Sequence, residues 1–222
     1  MKLEAMMQQY RQAANDLVEP YFVDDATLAE LFNEATQEAA IRGRLIHESA
    51  LPEVCNIAVL AEQAHYPLHE SLYELTHVRY CRTGDSRSQT LPIKSTEELD
   101  RIVPGWRERV EDPMFSIQTD TGIKLAPTPE AGGNLYLEGY RLPLTDLEDP
   151  SESPEINAAH HRHLNQWVLH RVFSIPDSEI FDPSRAGAAD LEFTRYFGAR
   201  PDSDLRRMTR EDEVQTVKGF FV

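Results

Sequence analysis

Residues 154–198 read PEINAAHHRHLNQWVLHRVFSIPDSEIFDPSRAGAADLEFTRYFG, and the reading of this stretch decides the fold. Ile156, His160, Leu164, Trp167, Val168, Val172 and Ile175 recur at three- and four-residue steps, which predicts one face of a helix, turned to the core. Asp182 can accept from the free amides of a following turn, and Pro183 lacks an N–H at a position where none is used, so a second helix should start there. Ala186, Ala189, Phe193 and Phe197 form its apolar stripe, and Gly198 is placed to end it as a left-handed cap. Two helices meeting at a corner near Asp182-Pro183 follow from this.

Toward the N-terminal side, Leu3, Met6, Met7, Tyr10, Ala14 and Leu17 have helical spacing up to Glu19-Pro20. Asp24 or Asp25 can cap a second helix with Leu28, Leu31, Phe32, Ala35 and Ala39 inward, ending before Pro52. From Val54 the period changes to two, with Cys55, Ile57 and Val59 on one face of a strand. Further β-type runs are predicted at 72–82, 114–119, 123–126 and 135–142, punctuated by Gly84-Asp85, Asp120-Thr121-Gly122 and Gly132-Gly133-Asn134. Thr119 to Ile123 reads as a hairpin turn, and Ser95 to Glu98 fits a capping box ahead of two helical turns. The acidic, Pro- and Ser-rich residues 144–155 read as a linker back to helices.

The organisation is therefore α+β: a helical pair in residues 1–52, a β-rich insert in 53–143, a helical pair in 144–198 and an extended arm in 199–222. Neither pair can bury its apolar face alone, so the two should pack as a four-helix bundle around Trp167 and Phe193, carrying an antiparallel β-sandwich or small barrel. The arm has no sustained period until Phe220, Phe221 and Val222, a composition that orders on a partner.

With 22 basic against 38 acidic residues the net charge is -16, the wrong sign for gripping a phosphate backbone, which argues against a DNA-reading regulator. The last 24 residues balance 5 against 5, with Arg206, Arg207 and Arg210 close together, a cationic group that suits an acidic partner surface or simply keeps a solvated tail soluble. No membrane-spanning run or cationic leader is present, and Cys55 and Cys81 are too few for a disulfide framework, so folding in a reducing cytoplasm is expected.

Chemistry-bearing motifs are sparse. No phosphate-binding glycine loop, C-x-x-C, H-E-x-x-H or G-x-S-x-G occurs. His160 and His163 lie one turn apart near His161 and His170, yet no Cys or second His pair at a supporting spacing completes a zinc set. Carboxylate neighbours such as Asp24 and Asp25, or Glu148 and Asp149, are more simply a solvated surface than an acid and base pair. Trp167 belongs to the apolar stripe, while Trp106 in PGWRERV suits surface packing and recognition about equally. The alternative these acids leave open is an entry-associated cell-wall glycan hydrolase working through two carboxylates.

The phrases LAELFNEATQEAAIRGRLI, HYPLHESLYELTHVRY, LPIKSTEELDRIVPGW and IKLAPTPEAGGNLYLEGYRLPL, followed by residues 154–198, are similar in order to the head-to-tail adaptor proteins of tailed bacteriophages. The most specific part is H-x-x-L-x-x-W-x-x-x-R at His161, Leu164, Trp167 and Arg171, then Asp177 and Glu179, then F-x-x-x-F-G at Phe193, Phe197 and Gly198. The resemblance covers most of residues 24–198 and implies a structural protein of the virion neck, with no cofactor and no shared catalytic motif. It further implies a ring, usually of twelve copies, beneath the portal protein. That ring meets a tail tube or nozzle protein, and DNA passes through it without specific binding. The resemblance also implies a C-terminal arm reaching toward the portal; composition adds Arg206, Arg207 and Arg210 as guides and Phe220, Phe221 and Val222 as apolar anchors on the portal or a neighbouring subunit.

Overall fold

The computed structural model describes residues 1–201 apart from Ser86 and Asp177. Helix α1 (Leu3–Ala14) is followed by α2 (Asp25–Gly43), whose first turn is closed by Asp24 accepting from the Thr27 amide at 2.8 Å. Helix α1 stops three residues earlier than its spacing suggests, because Asn15 turns into the left-handed region at φ 60°, and Leu17 is left in solvent. Helix α2 ends at Gly43 with Arg44 left-handed at φ 49°, before Pro52 as expected.

A short edge strand β1 (His47–Glu48) and a single helical turn α3 (Pro52–Cys55) lead into β2 (Asn56–Val59). Cys55 thus lies in a helical turn rather than in the predicted strand, since Pro52 at its first position favours helical backbone. Then come β3 (His65–Pro67), β4 (Leu72–Arg82), β5 (Ser88–Thr90), α4 (Thr96–Ile102), β6 (Phe115–Gln118), β7 (Gly122–Ala126) and β8 (Gly133–Arg141). The predicted capping hydroxyl of Ser95 accepts from the Glu98 amide at 3.2 Å, while the Glu98 carboxylate reaches back to Lys94. Gly132-Gly133-Asn134 does not only turn the chain: Gly133 and Asn134 are already paired within β8.

All the ladders between named strands are antiparallel. One sheet runs β1-β8-β4-β5 with β2 lying beside β1 along the same edge of β8, and the other runs β3-β7-β6. Neither sheet closes on itself, so a small barrel is excluded among the described residues: the β5 edge of the first sheet has no further strand beyond it. The sheets share an apolar cluster that includes Tyr66, Leu75, Val78, Leu125 and Leu137. Gln118 ties them together where β4 breaks register. Its amide accepts from Leu75 N at 3.0 Å and donates to the Tyr73 carbonyl at 3.1 Å, satisfying backbone groups that the irregularity frees. Gly139 lies opposite the same irregularity, where a Cβ would come within 2.3 Å of the Glu74 carbonyl.

Trp106 is 2 % exposed, in a third, small cluster with Leu99, Ile117 and Ala126. Its indole N–H donates to Asp100 at 2.8 Å and the Lys124 ammonium sits 4.6 Å from its ring centroid, so it is a core residue rather than a surface one.

Residues 144–160 are irregular but packed, which corrects the reading of 144–155 as a plain linker. The Glu152 and Pro150 carbonyls accept from Leu3 N at 2.8 Å and Glu4 N at 3.0 Å, filling the N-terminal cap that Lys2 cannot supply. Asn33 holds Leu147 through both its backbone N–H and its carbonyl. Helices α5 (His161–Phe173) and α6 (Pro183–Phe197) close the fold, with Asp182 accepting from Ser184 N at 3.0 Å and Arg185 N at 3.1 Å. Helix α5 ends at Phe173, leaving Ile175 46 % exposed on the connection instead of on the core face. One apolar cluster takes side chains from α1, α2, α5 and α6.

Candidate interaction surfaces

The sequence motif in α5 and α6 is brought together at one end of the helical body. His161 is buried, and its Nε2 donates to the Ile156 carbonyl at 2.9 Å, which leaves Nδ1 to accept from Met1 N at 2.6 Å. Leu164 is wholly buried. Trp167 and Phe193 lie 5.1 Å apart by ring centroid, and Phe193 and Phe197 4.7 Å apart. Arg42 from α2 caps this aromatic group: its guanidinium is 5.0 Å from the Trp167 centroid and 5.1 Å from that of Phe193. The same side chain bonds Glu38 at 3.0 Å and the Thr194 hydroxyl at 3.0 Å, so the C-terminal ends of α2 and α6 are locked together.

Arg171 is on the outer side of α5 and reaches Glu34 of α2 at 3.2 Å, an exposed pair of small energetic weight. Gly198 ends α6 with a positive φ of 93° but with ψ 169°, extended rather than the expected left-handed helical cap. Asp177, Arg206, Arg207, Arg210, Phe220, Phe221 and Val222 lie outside the described residues. Arg200 approaches Glu38 of α2 at 3.5 Å.

The histidines form a ring stack, not a ligand set. His163 stacks on Tyr196 at 3.4 Å between centroids and His160 meets the Tyr196 hydroxyl at 3.2 Å. Burial, with the neighbouring His160 adding to it, pushes the His163 pKa down. Among the described residues no group of three His, Cys, Asp or Glu side chains could hold a metal ion.

The carboxylates weighed for acid and base chemistry serve local turns. Asp24 caps α2, and the Asp149 carboxylate accepts from the Ser151 side chain and from Ser151 N at 2.7 Å, which together hold its pKa below the usual range. Glu48 is the most perturbed. Burial opposes its ionisation, but the amides of Ala50, Leu51 and Ser49 and the Arg141 guanidinium together outweigh this and bring it down to about 2. Among the described residues every carboxyl with a distinct shift moves down, whereas a glycosidase acid needs one moved up.

Sequence reasoning missed the junction between body and insert. Arg141, at the end of β8, bonds Glu48 of β1 at 3.0 Å and also pairs with Glu155 on the strap before α5. It therefore holds the chain where it enters the insert, where it leaves it, and where it returns to helices. The Tyr73 hydroxyl donating to the Ala40 carbonyl at 2.9 Å and an Arg44–Glu74 pair at 2.7 Å add to that junction. A lone Arg at a strand end carries no sequence signal of this kind, because its partners are far off in the chain.

The profile of the SU10 adaptor protein family matches residues 1–216, which spans both helical pairs and the insert. The chain belongs to the SU10 adaptor family. These are phage head-to-tail adaptors, so this adaptor is a structural connector of the virion neck that works with portal and tail components and with other copies of itself. No curated protein matches it. No helix among the described residues of the adaptor is long and apolar enough to cross a membrane.

Proposed function

We propose that this adaptor forms a ring of twelve copies beneath the portal, joins it to the tail tube or nozzle, and lines the passage through which DNA leaves the head. The observation that carries this reading is the family match over residues 1–216, nearly the whole chain. Residues 1–52 and 144–198 act as one four-helix body, 53–143 as an insert facing a partner, and 199–222 as the arm. Arg206, Arg207 and Arg210 guide the arm to an acidic surface, and Phe220, Phe221 and Val222 anchor it. The net charge of -16 keeps passing phosphate unheld, so DNA slides along the wall.

Electron microscopy of the purified adaptor mixed with portal tests the reading. Density for a ring at the narrow end of the portal is expected, and it should vanish when residues 199–222 are removed while the truncated chain stays folded. Density elsewhere on the particle, or unchanged ring formation by the truncated chain, overturns it.

A further inference from the structure

The connection between α1 and α2 is held rigidly and yet presents large apolar side chains to solvent. Arg11, itself buried, bonds Asp16 at 3.0 Å, the Val23 carbonyl at 3.2 Å and Asp25 at 2.5 Å, and lies 3.5 Å over the Tyr21 ring. Asp16, 2 % exposed, accepts from Phe22 N at 3.0 Å, and Val23 is buried beneath. Held on this frame, Leu17 is 59 %, Val18 78 % and Phe22 54 % exposed. A clamped loop of this kind loses little freedom when covered, which is the property of a binding surface rather than of a slack turn.

The loop lies at the end of the helical body away from the insert. Arg185 at the start of α6 donates to the Ala13 carbonyl at 2.8 Å, placing the α1–α2 connection beside the α5–α6 corner, whereas Arg42 and Thr194 join the opposite ends. Glu19, Asp24 and Asp25, all exposed, border the three apolar side chains. The complementary surface is written in the arm: residues 214–222, VQTVKGFFV, have five large apolar residues, one Lys and no acid. Residues 202–213, which precede that segment, span at most roughly 40 Å when extended, while α6 of 15 residues is about 22 Å long, so the tether can cross a neighbouring body from end to end.

We infer that residues 214–222 of one copy dock on Leu17, Val18 and Phe22 of the next, with Lys218 among Glu19, Asp24 and Asp25. The inference rests on the reading of this chain as a ring-forming adaptor, and names the subunit surface that the arm covers. The contact is heterologous, the arm of each copy on the loop of its neighbour, which is the kind that closes a ring.

Full-length chains in a Cys81→Ser background, one Glu19→Cys and the other Gly219→Cys, are mixed and mildly oxidised, both free and after assembly on portal. A disulfide between the two different chains is expected in at least one condition. Replacing Glu19→Cys by Gln8→Cys, on the exposed side of α1, should abolish it. Adding Val18→Ala and Phe22→Ala, which truncate side chains already in solvent, should lower the yield roughly tenfold with the melting temperature unchanged. No disulfide in either condition, or equal yield with Gln8→Cys, overturns the inference. Since the free protein is also read, a crosslink there stands even if the ring proves to sit elsewhere in the particle.

Discussion

In the helical body a single apolar cluster takes Leu3 and Met6 from one end of the chain and Phe193 and Phe197 from the other, whereas the insert builds its clusters from residues 54–137 alone. The insert can therefore complete its core from a continuous segment. The body has to wait for the chain to return through the strap at 144–160, since α1 takes its N-terminal cap from Pro150 and Glu152. The difference teaches that the two regions need separate means of being kept in register. Arg141 supplies one by touching Glu48 and Glu155 at once. Non-local closure of this kind must offset the entropy of ordering a long loop.

The sharpest way to break the comparison is Phe193→Ala. Phe193 is fully buried between Trp167 and Phe197, so the change should cost about 4 kcal/mol. Hydrogen exchange should then speed up in all four long helices while amides of β4 and β8 keep their protection. Equal loss in both regions would mean that they unfold as one unit.

Arg141→Ala should come next, at about 3 kcal/mol, because it strands the buried Glu48 carboxylate. Here protection should fall on both sides of the junction. Acid tests the same contact from the other partner. The Glu48 pKa is lowered to about 2 from 4.5, so its contribution is present above pH 4.5 and lost as pH falls toward 2. Up to about 3 kcal/mol should disappear over that window. Glu155, lowered chiefly by its hydrogen bonds to Arg141, acts in the same direction. Thermal melts from pH 5 to 2 should show this decline, and it should be shallower in Glu48→Gln, where Glu155 still contributes.

Smaller effects separate the regions by their caps. Asp182→Ala removes an acceptor shared by two amides at the start of α6 and should cost about 1 kcal/mol. Ser95→Ala removes one acceptor from the two-turn α4 and should cost about 0.5 kcal/mol, read as urea midpoints.

Much of this was legible in residue order. The period of Leu164, Trp167, Val168 and Val172, the Asp182-Pro183 start and the turn at Thr119 to Ile123 are local signals, and each element formed within a few residues of its expected place. The misses share one cause. Leu17 and Ile175 continue a helical period but fall past the ends of their helices, and Trp106, in an unremarkable phrase, is buried because α4 and β7 meet over it.

Sequence alone determined the order of helices, β insert and helices, the acidic character, and membership of the adaptor family, since periodicity, charge and motif order are properties of neighbours along the chain. Tertiary structure alone decided that the Arg141 junction exists, that residues 144–160 cap α1, and that Leu17, Val18 and Phe22 stand clear of the core on a clamped loop. Those depend on which distant groups share a site. Burial, ion pairing and capping are set by distance in space, which no local pattern encodes.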